Sequence, residues 1–178
     1  MPIPNPLQRI IDSSDGVVAD YAAALEVGAD VDAWYQAMKR EIKRAHLQAT
    51  IAGRGGLRRM TPADYGRVGR TLRDEYAYLR QFARDVEAGR LSSAQIAARA
   101  RLYSNHIQTS FWRGRDALRR EQGYRFERRR LNPAEHCDDC KGYAAQGWQP
   151  IGTLPPPGVD SVCRANCRCT FEYSRQGR

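Results

Sequence analysis

All five cysteines of the 178-residue chain fall between Cys137 and Cys169, in the segment HCDDCKGYAAQGWQPIGTLPPPGVDSVCRANCRCTFEY. Cys137 and Cys140 form a CxxC pair, 22 residues separate Cys140 from Cys163, and Cys167 and Cys169 follow at spacings of four and two. A CxxC knuckle supplies two thiolates on one tight turn, and a second pair brought from a distance completes a tetrahedron; soft sulfur ligands in that geometry select zinc. An odd number of cysteines, with nothing in the sequence that suggests secretion, makes a disulfide framework the weaker reading. The expectation is one structural Zn2+ per chain, held by four of Cys137, Cys140, Cys163, Cys167 and Cys169. The first four are preferred, with Cys169 the substitute and His136 a sixth candidate. Few large apolar side chains occur in this stretch, so a metal would replace the core that it lacks.

Four sulfurs leave no coordination position for water, which argues for a structural ion rather than a catalytic one. The rest of the inventory points the same way. Only His46, His106 and His136 are present, and none lies between Cys140 and Cys163 where a zinc-supported His-Asn-His nuclease would need one. A cysteine nucleophile wants an adjacent base, for which His136 beside Cys137 is the sequence-local candidate. Gly53 to Gly56 follows a helix and lacks the Gly-Lys-Ser/Thr ending of a phosphate-cradling loop. No catalytic residues are assigned, no small-molecule substrate is expected, and the chain reads as a non-enzyme.

The formal charge is +9 and the pI about 9.7. Residues 1–33 carry one Arg against six acids, residues 34–130 carry 23 basic against nine acidic, and the remainder is balanced. A cationic middle points to an acidic partner, most often nucleic acid. Its densest part contains Arg113, Arg115, Arg119, Arg120, Arg125, Arg128, Arg129 and Arg130, interleaved with Tyr124 and Phe126. Guanidinium forks match phosphate geometry, so these eight form a candidate nucleic-acid surface, against the competing reading of a solvated helix face or an Arg-rich protein interface. No helix-turn-helix or RNA-binding sheet signature accompanies them, so contact would be backbone-directed and salt-sensitive.

Three long amphipathic helices precede the cysteines. Trp34, Met38, Ile42, Ala45 and Ala49 recur at helical spacing, with Asp30 or Asp32 as N-cap and Gly53-Arg54-Gly55-Gly56 as terminator. Thr61-Pro62-Ala63-Asp64 opens a second helix, with Tyr65, Val68, Leu72, Tyr76, Leu79, Ala83 and Val86 on one face as far as Gly89. Ser92 with Gln95 forms a capping box for a third, whose stripe of Ile96, Ala100, Tyr103, Ile107, Phe111, Gly114 and Leu118 runs unbroken to Gly123. Pro2, Pro4 and Pro6 favour an extended start before a modest helix over residues 17–27, and residues 124–131 are a possible strand. The fold class is mainly α with a small α+β C-terminal region. Long helices pack as a hairpin or bundle, followed by a compact Cys-rich zinc-binding module. The divisions are an acidic Pro-containing arm (1–30), a basic helical domain (31–123) and the Cys-rich module (124–178). No apolar run approaches a membrane span, and the first residues show neither a basic n-region nor an apolar h-region, so the chain is expected to be soluble in a cytosol, without a membrane partner.

The CxxC, the GWQPIGTLPPPG stretch and CRANCRC together resemble the phage head morphogenesis domain, the Mu F-like minor head proteins of tailed bacteriophages. The preceding helices, with WYQAMKREIKRAH, EYAYLRQFARDVEAG and LSSAQIAARARLYSNHIQTSFWRGR, are similar in layout, so the resemblance covers roughly residues 30–173. Commoner members carry His-Pro-x-Cys-Arg-Cys near the end, whereas this chain has Arg164-Ala165-Asn166-Cys167-Arg168-Cys169 with Cys163 ahead of it. The resemblance implies a virion structural protein that associates with the portal and other head proteins. Such a protein would act in host cytoplasm during assembly, stay in the virion head, and contact packaged DNA non-specifically. The alternative is a stand-alone zinc-containing nucleic-acid-binding protein.

Overall fold

Residues 5–177 are described by a computed structural model. Helix α1, Asn5–Glu26, takes in Pro6 and is longer than the helix expected over residues 17–27, which corrects the extended backbone expected at Pro6. Pro6 sits in its first turn, where the missing N–H removes no intrahelical bond. Leu7, Ile11, Ser14, Val18 and Ala22 recur at helical spacing and are buried, so packing on α2 and α4 holds a segment that isolated propensity would not. The expectations for Pro2 and Pro4 fall outside the described residues.

Helix α2, Val31–Arg54, is capped by Asp30, whose carboxylate accepts from the Ala33 N–H at 2.7 Å, and it ends at Gly55 in the left-handed conformation. Helix α3, Pro62–Glu87, opens with a full capping box between Thr61 and Asp64. Its inner face holds Val68, Leu72 and Leu79 as expected and Phe82 in addition, while Tyr65 turns outward at 49% exposure. The third predicted helix also starts at its Ser92–Gln95 box but is two helices: α4, Ser93–His106, and α5, Gln108–Glu121, with the break at Ile107. The break divides the stripe between two cores. Ile96, Ala100 and Tyr103 join α1, α2 and α3 around Trp34 and Phe82, whose rings meet edge-on at 5.1 Å. Ile107, Phe111 and Trp112 join Leu7, Ile11, Ala45 and Ala49 in a second cluster.

That second cluster also carries the C-terminal region. Strand β1, Phe126–Arg130, lies between β2, Gln149–Pro150, and β3, Thr170–Ser174, in an antiparallel sheet with Glu127 opposite Tyr173 and Arg129 opposite Phe171. The short helix α6, Asp138–Ala145, joins β1 to β2. Phe171 from β3 meets Trp112 of α5 edge-on at 5.7 Å, and the Tyr173 hydroxyl donates to Asp116 at 2.6 Å. The molecule is therefore mainly α, a bundle of five longer helices with a small α+β region docked on it. No helix of the described residues is long and apolar enough to cross a membrane.

Candidate metal centre

The five cysteines converge from three places in the chain. Cys137 is the N-cap of α6 and Cys140 lies in its first turn; Cys163 and Cys167 flank a 3-10 turn at Arg164–Asn166; Cys169 immediately precedes β3. A helix start favours thiolates through its unpaired N–H groups. The sulfurs form two overlapping triads, Cys137–Cys140–Cys163 and Cys140–Cys167–Cys169, each with all atoms within 4.8 Å of one another. Cys140, fully buried, belongs to both.

The thiols are free, and the gaps between them are those of ligands rather than of a bond. Cys140 Sγ is 3.5 Å from Cys163 Sγ and 3.7 Å from Cys167 Sγ. Zinc–sulfur bonds of about 2.3 Å in a tetrahedron put ligand sulfurs about 3.8 Å apart, whereas a disulfide needs about 2.05 Å. The donor set thus fits a soft divalent ion, with five sulfurs present for four tetrahedral places.

Protonation follows from the crowding. The hydrogen bond from Cys169 brings the Cys167 thiol below its ordinary value, while giving that bond pushes Cys169 up. Burial pushes Cys140 up as well. Without a cation the cluster therefore favours a thiolate at Cys167 beside protonated neighbours. A bound ion would supply the charge that lets several ionise together.

The surroundings are ordered around the sulfurs. Arg129 is 3% exposed; its guanidinium donates to the Pro155 carbonyl, lies 3.9 Å from Cys167 Sγ and stacks over Phe171 and Tyr143. His136 donates from Nε2 to the Asn132 carbonyl at 2.6 Å, and its Nδ1 lies 3.6 Å from Cys169 Sγ. Asp139 accepts from the Val162 N–H at 2.8 Å and ties the long loop to α6. The sequence reading missed Arg129 as a neighbour of the sulfurs. The strand alternation carries the signal, since Glu127 and Arg129 share the inner face of β1 while Arg128 and Arg130 face out.

Arg129 is accordingly a correction to the predicted nucleic-acid surface. Arg113, Arg120, Arg125, Arg128 and Arg130 are exposed, and Arg115 and Arg119 are half-buried. Arg128 and Arg130 share Glu172 as partner, and Arg128 also lies 4.6 Å over the Trp148 ring. Arg120 donates to the Ile151 carbonyl and Arg113 to Thr71. Arg115, Arg119 and Arg130 line a cleft of about 340 Å3 with Trp112, Tyr124 and Trp148. The predicted segment is thus divided among an internal contact, ion-paired surface positions and an arginine–aromatic cleft.

Family models, curated proteins and solved structures gave no match to this chain.

Proposed function

We propose that the protein is a minor head protein of a tailed bacteriophage, a virion structural component rather than an enzyme. The observation that supports it is the convergence of Cys137, Cys140, Cys163, Cys167 and Cys169, because the Cys/Pro/Gly segment is the specific part of the resemblance to the Mu F-like proteins. In this reading the cluster holds one structural Zn2+, which fastens the chain from β1 to β3 into a rigid unit. Its partners are the portal and other head proteins during assembly in the host cytoplasm, and packaged DNA once the head is filled.

The arginine–aromatic cleft suits the last of these. Arg115, Arg119 and Arg130 offer guanidinium groups beside the Tyr124 and Trp148 rings. Such a surface meets phosphates and exposed bases without reading a sequence. Log affinity should then fall linearly with log salt concentration, and unrelated duplexes should bind alike.

Co-sedimentation tests the proposal. Expressed with its cognate portal protein, the chain is expected to travel with the portal oligomer on a gradient. A chain that stays at the position of free protein and selects one duplex sequence at physiological salt would overturn the reading in favour of a stand-alone zinc-containing nucleic-acid-binding protein.

A further inference from the structure

A second cluster of ligand-type side chains lies inside the helical bundle, apart from the cysteines. His46 comes from α2, Glu75 from α3 and His106 from the last position of α4, and one donor atom from each lies within 4.8 Å of the other two. His46 is 0% exposed and Glu75 is buried, whereas His106 is partly open to solvent. The two imidazole centroids are 6.2 Å apart.

The decisive atom is His46 Nε2. It is buried and has no hydrogen-bond partner among the described residues, while Nδ1 of the same ring lies 2.7 Å from Ser110 Oγ. A buried polar atom without a partner is destabilising, so a ring placed this way needs a reason. With Nδ1–H donated to Ser110, the ring keeps an Nε2 lone pair that can serve a metal ion. Ligating histidines are commonly held in this way, with the other nitrogen's N–H on a fixed acceptor. His106 donates from Nδ1 to Glu75 Oε1, so a proton now occupies the place between two of the three donors.

We propose that His46, Glu75 and His106 form a binding site for a divalent first-row transition-metal ion, separate from the cysteine cluster. Two imidazoles and one carboxylate suit zinc and its neighbours in that row better than magnesium or calcium. Ligand atoms around a tetrahedral ion with bonds of about 2.0 to 2.1 Å lie about 3.3 to 3.4 Å apart, so a small rotation of the partly exposed His106 closes the set. The ion replaces the proton on His106 Nδ1, which leaves to solvent. Access is through a cleft of about 390 Å3 that reaches Glu75 and His106 and is bordered by Tyr103, Tyr78, Arg99 and Arg164. The cleft also gives the remaining coordination positions to water or to a small anion, which the two bordering arginines would attract.

Cobalt(II) titration separates this site from the sulfurs. Thiolate-bound cobalt shows an intense sulfur-to-metal charge-transfer band, and cobalt on imidazole and carboxylate shows only weak d–d bands. The protein is expected to take up one equivalent of Co2+ without charge transfer, in addition to any bound by cysteines. That equivalent should be lost in His106→Gln and weakened at least tenfold in Glu75→Gln, with far-UV circular dichroism and melting used to show that both variants fold. The histidine side-chain nuclear magnetic resonance signals of His46 should shift or broaden with the same equivalent. The site is overturned if all bound cobalt carries the charge-transfer band, or if uptake is unchanged in both variants.

Discussion

Gly53 of α2 and Gly114 of α5 lie at a reciprocal backbone crossing. A Cβ on Gly53 would overlap the Phe111 carbonyl oxygen and stand 3.0 Å from the Arg115 nitrogen; a Cβ on Gly114 would stand 2.9 Å from the Thr50 oxygen and 3.3 Å from the Arg54 nitrogen. Each helix is thus seated against the other's backbone, which cannot yield as a flexible side chain can. Overpacking of this kind costs about 1 to 3 kcal/mol or more, against about 1 kcal/mol gained in helix propensity on replacing Gly by Ala. Gly53→Ala is expected to lower the midpoint of urea unfolding clearly, and Gly114→Ala by less. A rise in the midpoint of either variant would show that the crossing is looser than this.

Directly beside that crossing, Arg54 is buried with Asp64. Its Nε is 3.2 Å from Asp64 Oδ2, its Nη2 is 2.6 Å from Glu121, and it donates to the Arg59 carbonyl, so one guanidinium ties the end of α2 to the starts and ends of its neighbours. Burial would raise the Asp64 pKa, but hydrogen bonds from Thr61 and Arg67 and the charge of Arg54 hold it below the ordinary aspartate value. Removing one partner of a buried pair costs about 3 to 5 kcal/mol. Arg54→Met should destabilise toward the lower end of that range, because Arg67 and Thr61 remain on Asp64, and Arg54→Met with Asp64→Asn should recover part of the loss. The Asp64 contribution is present above its unfolded pKa and disappears as pH falls through the folded one. Chemical unfolding of the single and double variants at neutral and acid pH measures both effects.

The elements most legible in the sequence were those with a chemical start signal. Asp30, the Thr61–Asp64 box and the Ser92–Gln95 box cap helices where they were expected to, because capping is decided within four residues. Helix α1 was obscured by Pro6, which with Pro2 and Pro4 pointed to an extended start, while Leu7, Ile11, Val18 and Ala22 form an inner face that only tertiary burial makes decisive. The break at Ile107 has no Pro or Gly to announce it, since it comes from the two halves joining different cores. Cysteine spacing foretold the convergence of the sulfurs, yet Arg129 was hidden among seven other arginines until the strand placed it on the inner face. The His46–Glu75–His106 cluster joins three helices, and nothing in local spacing marks it.

Cys140 should dominate the behaviour of the cysteine cluster, because both triads include it. Cys140→Ser is expected to reduce bound metal more than Cys137→Ser or Cys169→Ser, with Cys169→Ser the mildest if Cys137, Cys140, Cys163 and Cys167 are the four ligands. Metal-to-protein ratios by mass spectrometry decide the order. Chelation should remove amide-exchange protection from β1, α6 and β3 while α2 and α3 keep theirs, since the sulfurs cluster away from the two helical cores. Equal loss of protection throughout would show that bundle and sheet unfold as one unit.

Glu127 sets a separate dependence on pH. It is fully buried on β1, with Oε1 accepting from the Gly152 and Leu154 N–H groups and Oε2 without a partner among the described residues. Burial, with the nearby Asp116 carboxylate adding to it, pushes its pKa from 4.5 up to about 7, and burial likewise pushes Asp116 from 3.8 up to about 6. A carboxyl whose folded pKa is raised binds more protons folded than unfolded, so stability falls as pH rises between the two values. For Glu127 that window runs from 4.5 to about 7, and the loss across it is roughly 3 to 4 kcal/mol at one pKa unit per 1.4 kcal/mol. Glu127→Gln keeps the acceptor for the two N–H groups and removes the charge. The variant should be more stable than the parent above neutrality and should show a flatter stability profile through the window, with the residual slope belonging to Asp116. Urea unfolding at a series of pH values checks it, and parallel profiles for parent and variant would mean that Glu127 ionises in the folded protein as an ordinary glutamate does.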